Sequence, residues 1–399
     1  MNVLLETFES YLGKDDADEI VYGHDYDGWQ TLVHVCLKWR RIVFASPRRL
    51  DLKIYYTRQR LVNTNFSKTL DIWPALPIVI DVLDMHSEGD ETNAIAALRH
   101  HDRACKIYYL NGQCQDSLLK EFTAMDEPFL ALTSLHLSSF QHQNVLVLPD
   151  SFLRGSAPRL RSLLLNGIPY PSMGKLLLST TNLVRLSLCH IPHSGYIPPE
   201  TIVPLLSTLS KLESLALGFQ HPRSQANRAS RSPLPLTHVV IPNLAVLYFR
   251  GDIGYLEDTL SRIETPTLNQ CEFCFFNQLV FDTPLFGDFF RCTETFITIH
   301  RACVESSSSN VGVTFFGREA MVINNDRKPL CLRINCKPLD WQLSALAQVL
   351  DSLLSSLPTL DRLEVTVYRE YRQDEIEVIQ WREFLHLLGE TDPNTCAFS

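Results

Sequence analysis

The feature that most constrains this chain is a strand signal, L-x-x-L-x-L, that keeps returning along it. Leu132/Leu135/Leu137, Leu160/Leu163/Leu165, Leu183/Leu186/Leu188 and Leu212/Leu215/Leu217 carry it without exception. Leu244/Leu247/Phe249, Leu268/Cys271/Phe273 and Leu360/Leu363/Val365 carry it with conservative replacements. Ile78/Leu83, Cys105/Tyr108/Leu110 and Leu332/Ile334 carry it more loosely. From Leu132 the spacings run 28, 23, 29, 32 and 24 residues. Helical patterns precede several of these strands, at Met173 to Leu178, Ile202 to Leu209 and Leu343 to Leu354. One strand, one loop and one helix cannot bury an apolar face alone, so successive units must stack on each other.

The period lies around the roughly 20–29 residues of leucine-rich repeats. The expected fold class is therefore α/β, an irregular leucine-rich-repeat solenoid over 78–303 and again over 330–390. The usual unit has Asn or Cys three residues after the last leucine. Here that position holds Phe140, Ile168, Ile191, Phe276 and Tyr368, with Gln220 and Asp252 as polar exceptions. Without an asparagine ladder, apolar packing is expected to hold the array. Phe219 to Thr237, rich in Pro, Ser and Arg, reads as an exposed loop. Val304 to Asn310, with a serine run, opens a flexible break expected over 304–329. A last helix, Ile376 to Leu388, is expected to cap the array, and 391–399 to form a loose tail.

The N-terminal residues follow a different period. Leu4, Leu5, Phe8, Tyr11 and Leu12 form one stripe on a short helix ended by Gly13. Lys14 to Asp27 is acidic and reads as a solvated loop. From Trp29 to Val43 a single long helix is expected, ended by Ala45-Ser46-Pro47. At 100° per residue its apolar side chains cover an arc of about 220°, whereas facing one core requires little more than about 100°. Arg40 is the one charge intruding on that arc. The surplus implies a second surface to bury, free for a partner. These residues make a helical unit over 1–55, joined to the repeats by a connecting segment over 56–77.

Val35-Cys36-x-x-Trp39-x-x-Ile42, following an apolar first helix, resembles the second half of an F-box. Ser46-Pro47-Arg48-Arg49-Leu50-Asp51-Leu52 and Leu70-Asp71-Ile72-Trp73-Pro74-x-Leu76-Pro77-Ile78 are similar to the continuation in fungal F-box proteins with leucine-rich repeats. The resemblance covers about the first 80 residues closely and the rest as repeat architecture. It implies a substrate receptor in which the box docks a Skp-type adaptor, and through it a cullin, while the repeats hold a protein target. Leu4, Leu5, Phe8, Leu12, Leu32, Val35, Cys36 and Trp39 are then the adaptor-binding candidates. An F-box usually opens with Leu-Pro, whereas this chain reads Met1-Asn2-Val3. That difference favours the alternative, a repeat scaffold whose degenerate box only caps the solenoid. Trp39 can serve as an anchor or as box packing, and Trp73 is expected to seal the joint between box and first repeat.

Charge and motif searches narrow the function. Net charge is −9, with eight acids and one base in residues 1–30 and the reverse in residues 31–60. The basic stretch suits an acidic protein partner better than nucleic acid, given the negative total. No apolar run reaches the roughly 18 residues of a membrane span. Eleven scattered cysteines form no disulfide framework, so a reduced, intracellular protein of cytoplasm or nucleus is expected. Cys271-x-x-Cys274, with Cys292 and Cys303, sits at strand spacing, which sends the pair to opposite faces and argues against zinc. His190 and His193 beside Ser194 read as loop histidines after a repeat strand. Arg223, Arg228, Arg231 and Ser232-Pro233 read as part of a solvated insertion. No phosphate-binding glycine loop, H-E-x-x-H or G-x-S-x-G occurs, so neither cofactor, metal nor catalytic residue is expected.

Between the framework leucines, the residues of the open strand face are Ser134 and His136, Ser162 and Leu164, Arg185 and Ser187, and Ser214 and Ala216. Val246 and Tyr248, Glu272, and Arg362 and Glu364 continue the series. A recognition surface requires a few large anchors. Tyr248, Arg250 and Glu272 are the target-binding candidates.

Overall fold

The computed structural model describes residues 2–12, 28–47, 50, 52–56, 75–82, 94–111, 121, 124–139, 147–170, 173–222, 238–276, 281, 284–293, 296, 299–306, 310–317, 330–335, 342–354 and 362–367. The chain is a mixed α/β protein that divides into two units, Met1–Leu163 and Leu164–Ser399. The acidic stretch Lys14 to Asp27, Trp73, the segment Arg223 to Thr237, the helix expected over Ile376 to Leu388 and the C-terminal tail lie outside the described residues. Among the described residues no helix is long and apolar enough to cross a membrane.

The first unit opens with α1 (Asn2–Leu12), α2 (Gly28–Val35) and α3 (Leu37–Ala45). The single helix expected over Trp29 to Val43 is thus two helices, broken at Cys36. That residue is extended, with φ −161° and ψ 166°, and its Sγ accepts the Trp39 N–H at 3.5 Å. Val33, Val35 and Cys36 are poor helix formers in sequence, which makes this the weak point. Arg40, the charge that intruded on the apolar arc, satisfies the end of α2, its Nε donating to the Val33 carbonyl at 3.0 Å. The break divides the wide arc between two axes. Trp29, Leu32 and Val33 are buried from α2 and Val43 from α3. Phe8 of α1 packs on Trp39 with ring centroids 4.9 Å apart, and Trp29 Nε1 donates to the Lys53 carbonyl at 2.8 Å, tying the helices to the first strand. Four strands follow, β1 (Ile54–Tyr56), β2 (Ile78–Val82), β3 (Ala104–Asn111) and β4 (Ser134–Ser139), each paired in parallel with the next. Strand β5 (Ser162–Asn166) carries the division between units.

Every well-formed repeat enters its strand the same way. The N–H of the first framework leucine donates three residues back: Leu132 to Phe129, Leu160 to Ala157, Leu183 to Thr180, Leu212 to Leu209, Leu244 to Ile241 and Leu268 to Thr265. Pro158, Pro242 and Pro266 occupy the second turn position, where a fixed φ is favourable. The carbonyl of the next residue then bridges to the following repeat. Thr133 O accepts from Arg161 N–H and Ser162 N–H at 2.8 and 3.1 Å. Val184 O, Glu213 O and Ala245 O do likewise for Glu213/Ser214, Ala245/Val246 and Asn269/Gln270. The backbone so supplies the link between turns that an asparagine ladder would give. The position where that asparagine is missing packs apolar side chains instead, and Ile168, Ile191 and Phe276 are all buried.

The second unit holds β6 (Arg185–Ile191), β7 (Ser214–Phe219), β8 (Val239–Val240), β9 (Val246–Gly251), β10 (Ile263–Glu264), β11 (Gln270–Phe276), β12 (Ile299–Ser306), β13 (Asn310–Gly317), β14 (Leu330–Asn335) and β15 (Arg362–Val367). Strands β6, β7, β9 and β11 run parallel in that order; β8 and β10 pair separately. Helices Met173–Ser179, Pro199–Ser207, Ile253–Leu260, Pro284–Cys292 and Gln342–Leu354 alternate with them, three at the places the periodicity predicts. Beyond β11 the order becomes β14, β13, β12, β15. Within the break expected over 304–329, residues 304–306 and 310–317 are strand. Strands β12 and β13 form an antiparallel hairpin, and Val311, Val313 and Phe315 are buried. The alternation was hidden by Gly312, whose added Cβ would lie 2.9 Å from the Leu332 carbonyl oxygen. Here a neighbouring backbone takes the place of a side chain.

On β9 and β11 aromatic rings join leucine in the core. Phe286 meets Phe273, Phe275 and Phe290 edge to face, and Phe290 meets Phe273 likewise, with centroids 4.8 to 6.1 Å apart. Beneath them Glu257, only 2 % exposed, accepts the N–H groups of Leu285 and Phe286 at 3.0 and 2.8 Å. A carboxylate on a neighbouring helix thus caps the start of helix Pro284–Cys292, where orphan donors and the helix dipole favour negative charge. Glu257→Ala removes this acceptor from two buried donors. We expect it to cost about 3 kcal/mol, read by urea unfolding, against about 0.5 kcal/mol or less for Glu264→Ala on the exposed surface. Equal stability of the two variants would show that the cap is dispensable.

Candidate functional site

The polar face of the second unit is built by strand alternation. On β9, Leu247 and Phe249 are buried while Val246, Tyr248 and Arg250 are half-buried on the other side. On β11, Cys271 and Phe273 are buried, and Gln270 and Glu272 face with Tyr248. Register sets Tyr248 beside Glu272, and Arg250 beside Cys274, which lies beside Arg333 of β14. The three target-binding candidates therefore converge on one face. Cys271 and Cys274 point to opposite sides, as strand spacing requires, and among the described residues no His, Cys, Asp or Glu group could hold a metal ion.

Sequence reasoning missed the residue that organises this face. His190, expected in a loop, lies in β6, where pairing with β7 slips between Leu188 and Ile191. Three steps on β6 match two on β7, so His190 is the extra residue of a bulge, with φ +48°. That left-handed conformation is uncommon outside glycine, and histidine is among the residues that tolerate it best. The bulge aims the ring along the sheet face. Arg250 Nη1 donates to His190 Nε2 at 3.1 Å, and His190 Nδ1 lies 2.7 Å from Asn166 Oδ1. A guanidinium only donates, so Nε2 must be the acceptor and Nδ1 must carry the proton. The ring is thus neutral and its tautomer fixed. No local pattern announces it, because bulges depend on the partner strand.

The surroundings tune these groups. Burial, and then the Arg250 charge, lower the His190 pKa below its ordinary 6.5. Burial pushes the Tyr248 phenol up to about 12, with Cys274 and Cys189 adding to it, so it remains a donor at neutral pH. Burial likewise raises the thiols of Cys189 and Cys274, against the pull of nearby Arg250. Cys189 shares a hydrogen bond with Ser187 at 3.3 Å. Glu272 is held by Arg333 at 3.0 Å. The Arg250 guanidinium lies over the Phe276 ring, 5.8 Å from its centroid. Chemically the face is rich in donors and poor in activated nucleophiles.

In the first unit, Ser134 and Ser162 were expected to face solvent. Both are buried, because His136 Nε2 lies between their hydroxyls, at 3.2 and 3.0 Å, and the Tyr108 ring packs edge-on to the imidazole. His193, on the 3-10 turn after β6, stacks with His221 and is remote from this network in sequence and role. Arg362 and Glu364 lie on β15, but their side chains are outside the described residues.

The adaptor-binding candidates separate into two groups. Leu5, Phe8 and Leu32 are core residues, and Leu4 and Trp39 are half-buried. Val35 and Cys36 are exposed, and beside them so is Leu37; Val3 and Tyr11 of α1 are exposed as well. The side chain of Leu12 lies outside the described residues. The helix break makes this division, since one continuous helix would have had to bury or expose the arc together. No known family model and no curated protein matches this chain.

The His190 pKa links the face to pH. The folded protein resists a proton that the unfolded chain accepts readily below about pH 6.5. Stability is therefore expected to fall as pH drops through that value, by a steeper slope in wild type than in His190→Gln. Thermal unfolding of both proteins between about pH 5 and 8 checks this. Parallel curves would remove the network from the account.

Proposed function

We propose that this chain is a non-catalytic substrate receptor of a cullin-based, Skp-type ubiquitin ligase. In this reading α1 to α3 form an F-box-like unit that docks the adaptor, and the repeats form an irregular leucine-rich-repeat solenoid that holds a protein target. One observation carries the adaptor side: Val35 and Leu37 stand 55 % and 68 % exposed on either side of the Cys36 break. Large aliphatic side chains side by side at a helix joint are suited to burial by a partner. Val3 and Tyr11, 74 % and 59 % exposed, add apolar surface on α1. The mechanism is positional. Holding a target near a charged conjugating enzyme raises the effective concentration of its lysines, and other subunits perform the transfer. Tyr248, Arg250 and Glu272 would contact the target.

A second reading, a repeat scaffold whose helical unit is only a cap, draws on the burial of Leu5, Phe8 and Leu32, which sends three of the eight expected docking residues into the core. Co-purification with a Skp-type adaptor separates the two. Val35→Asp/Leu37→Asp alters exposed positions, so the fold should stand, and adaptor recovery should fall by about 10-fold or more, as for loss of a central apolar anchor. Equal recovery with wild type and variant favours the cap.

A further inference from the structure

Arg250 is an unusual cation. It is half-buried, its Nη1 is spent on a neutral imidazole, and its Nε is buried without a hydrogen-bond acceptor. Arg333, two strands away on the same face, has Glu272 as its counter-ion at 3.0 Å. Among the described residues no carboxylate pairs with Arg250. Partial burial costs a charge its hydration, and a neutral imidazole with a phenyl ring beneath compensates only in part. The tautomer fixed by Asn166 keeps the imidazole an acceptor, which holds the guanidinium in place. Among the described residues the arrangement is a preorganised cation without an anion.

We propose that this anion comes from outside: an Asp or Glu side chain of a bound target segment, seated against the Arg250 guanidinium beside Tyr248. This rests on reading the face as the target-holding surface, and it names the chemistry of the target. A planar carboxylate matches the guanidinium fork. A monoanion suits the site better than a phosphate dianion. Arg250 has one donor already engaged, and the Glu272 carboxylate on the adjacent strand repels a second negative charge. The Tyr248 phenol, protonated at neutral pH, can donate to the same ligand. The chain's net charge of −9 opposes unspecific attraction of acids, so any acidic preference must come from a local site.

Fluorescence anisotropy at low ionic strength with labelled hexaglutamate, hexaglutamine and a phosphoserine peptide of equal length tests it on the full chain. Hexaglutamate should bind about 10-fold tighter than hexaglutamine, the scale of one charge-assisted hydrogen bond. Arg250→Gln should abolish that difference. Arg250→Lys should recover only part of it, because the ammonium lacks the fork. Arg291→Gln, the same change of net charge on an exposed helix, should retain it. Equal binding of hexaglutamate and hexaglutamine by wild type, an undiminished difference in Arg250→Gln, or tighter binding of the phosphoserine peptide would each overturn the proposal. Adaptor recovery measured on the same proteins separates the two ideas. Adaptor binding without a glutamate preference removes this inference alone. A preference without adaptor binding removes the receptor reading and leaves the carboxylate site standing.

Discussion

Four repeats each hand one backbone carbonyl to the next, and the order of the strands within each unit depends on that exchange. The carbonyl after the first framework leucine accepts two N–H groups from the following unit, at Thr133, Val184, Glu213 and Ala245 alike. This bond pair sits at the start of the strand, so it sets the register before any side chain is compared. Once register is set, alternation follows: framework residues go inward and their neighbours outward. The energy comes mainly from burial of the framework side chains, while the carbonyls decide how the units are phased. Six turns with the same hydrogen bond, three of them with proline at the second position, deliver the chain to that point each time.

The polar face of the second unit depends on one place where this regularity fails. A bulge at His190 inserts a residue that β7 does not match, and the extra residue carries its ring onto the open side. Holding a non-glycine residue at φ +48° costs about 1–3 kcal/mol unless its surroundings compensate. Asn166 and Arg250 provide part of that compensation and at the same time fix the tautomer. Strain, charge and partial burial thus meet on the last turns of β6, β9 and β11. The neighbouring aromatic core, tightly packed around Phe273, Phe286 and Phe290, gives that face a stiff backing.

At the N-terminal end the helical unit shows why a hydrophobic arc measured from sequence can mislead. The arc from Trp29 to Val43 is wide only if the helix is continuous. An extended Cys36 resets the phase, so part of the arc turns inward from two axes and Val35, Cys36 and Leu37 remain outside. The conclusion that some apolar surface is left uncovered survives, but on fewer and different residues. Leu5, Phe8 and Leu32 belong to the core, where Phe8 packs against Trp39.

The sequence by itself determined the repeated strand-and-helix units, the buried leucines and the convergence of Tyr248, Arg250 and Glu272. Those follow from periodicity, and period-two alternation needs no knowledge of the neighbour. It also placed Cys271 and Cys274 on opposite faces. Tertiary structure decided the break at Cys36, the hairpin of β12 and β13, the burial of Ser134 and Ser162 under His136, and the bulge at His190. Each of these depends on what lies across from the residue: a capped carbonyl, a backbone filling the space beside Gly312, an imidazole between two hydroxyls, a partner strand one residue short. Local propensity differences of well under 1 kcal/mol per residue cannot choose among such outcomes, whereas the long-range hydrogen bonds and packing that do choose are absent until the chain has folded.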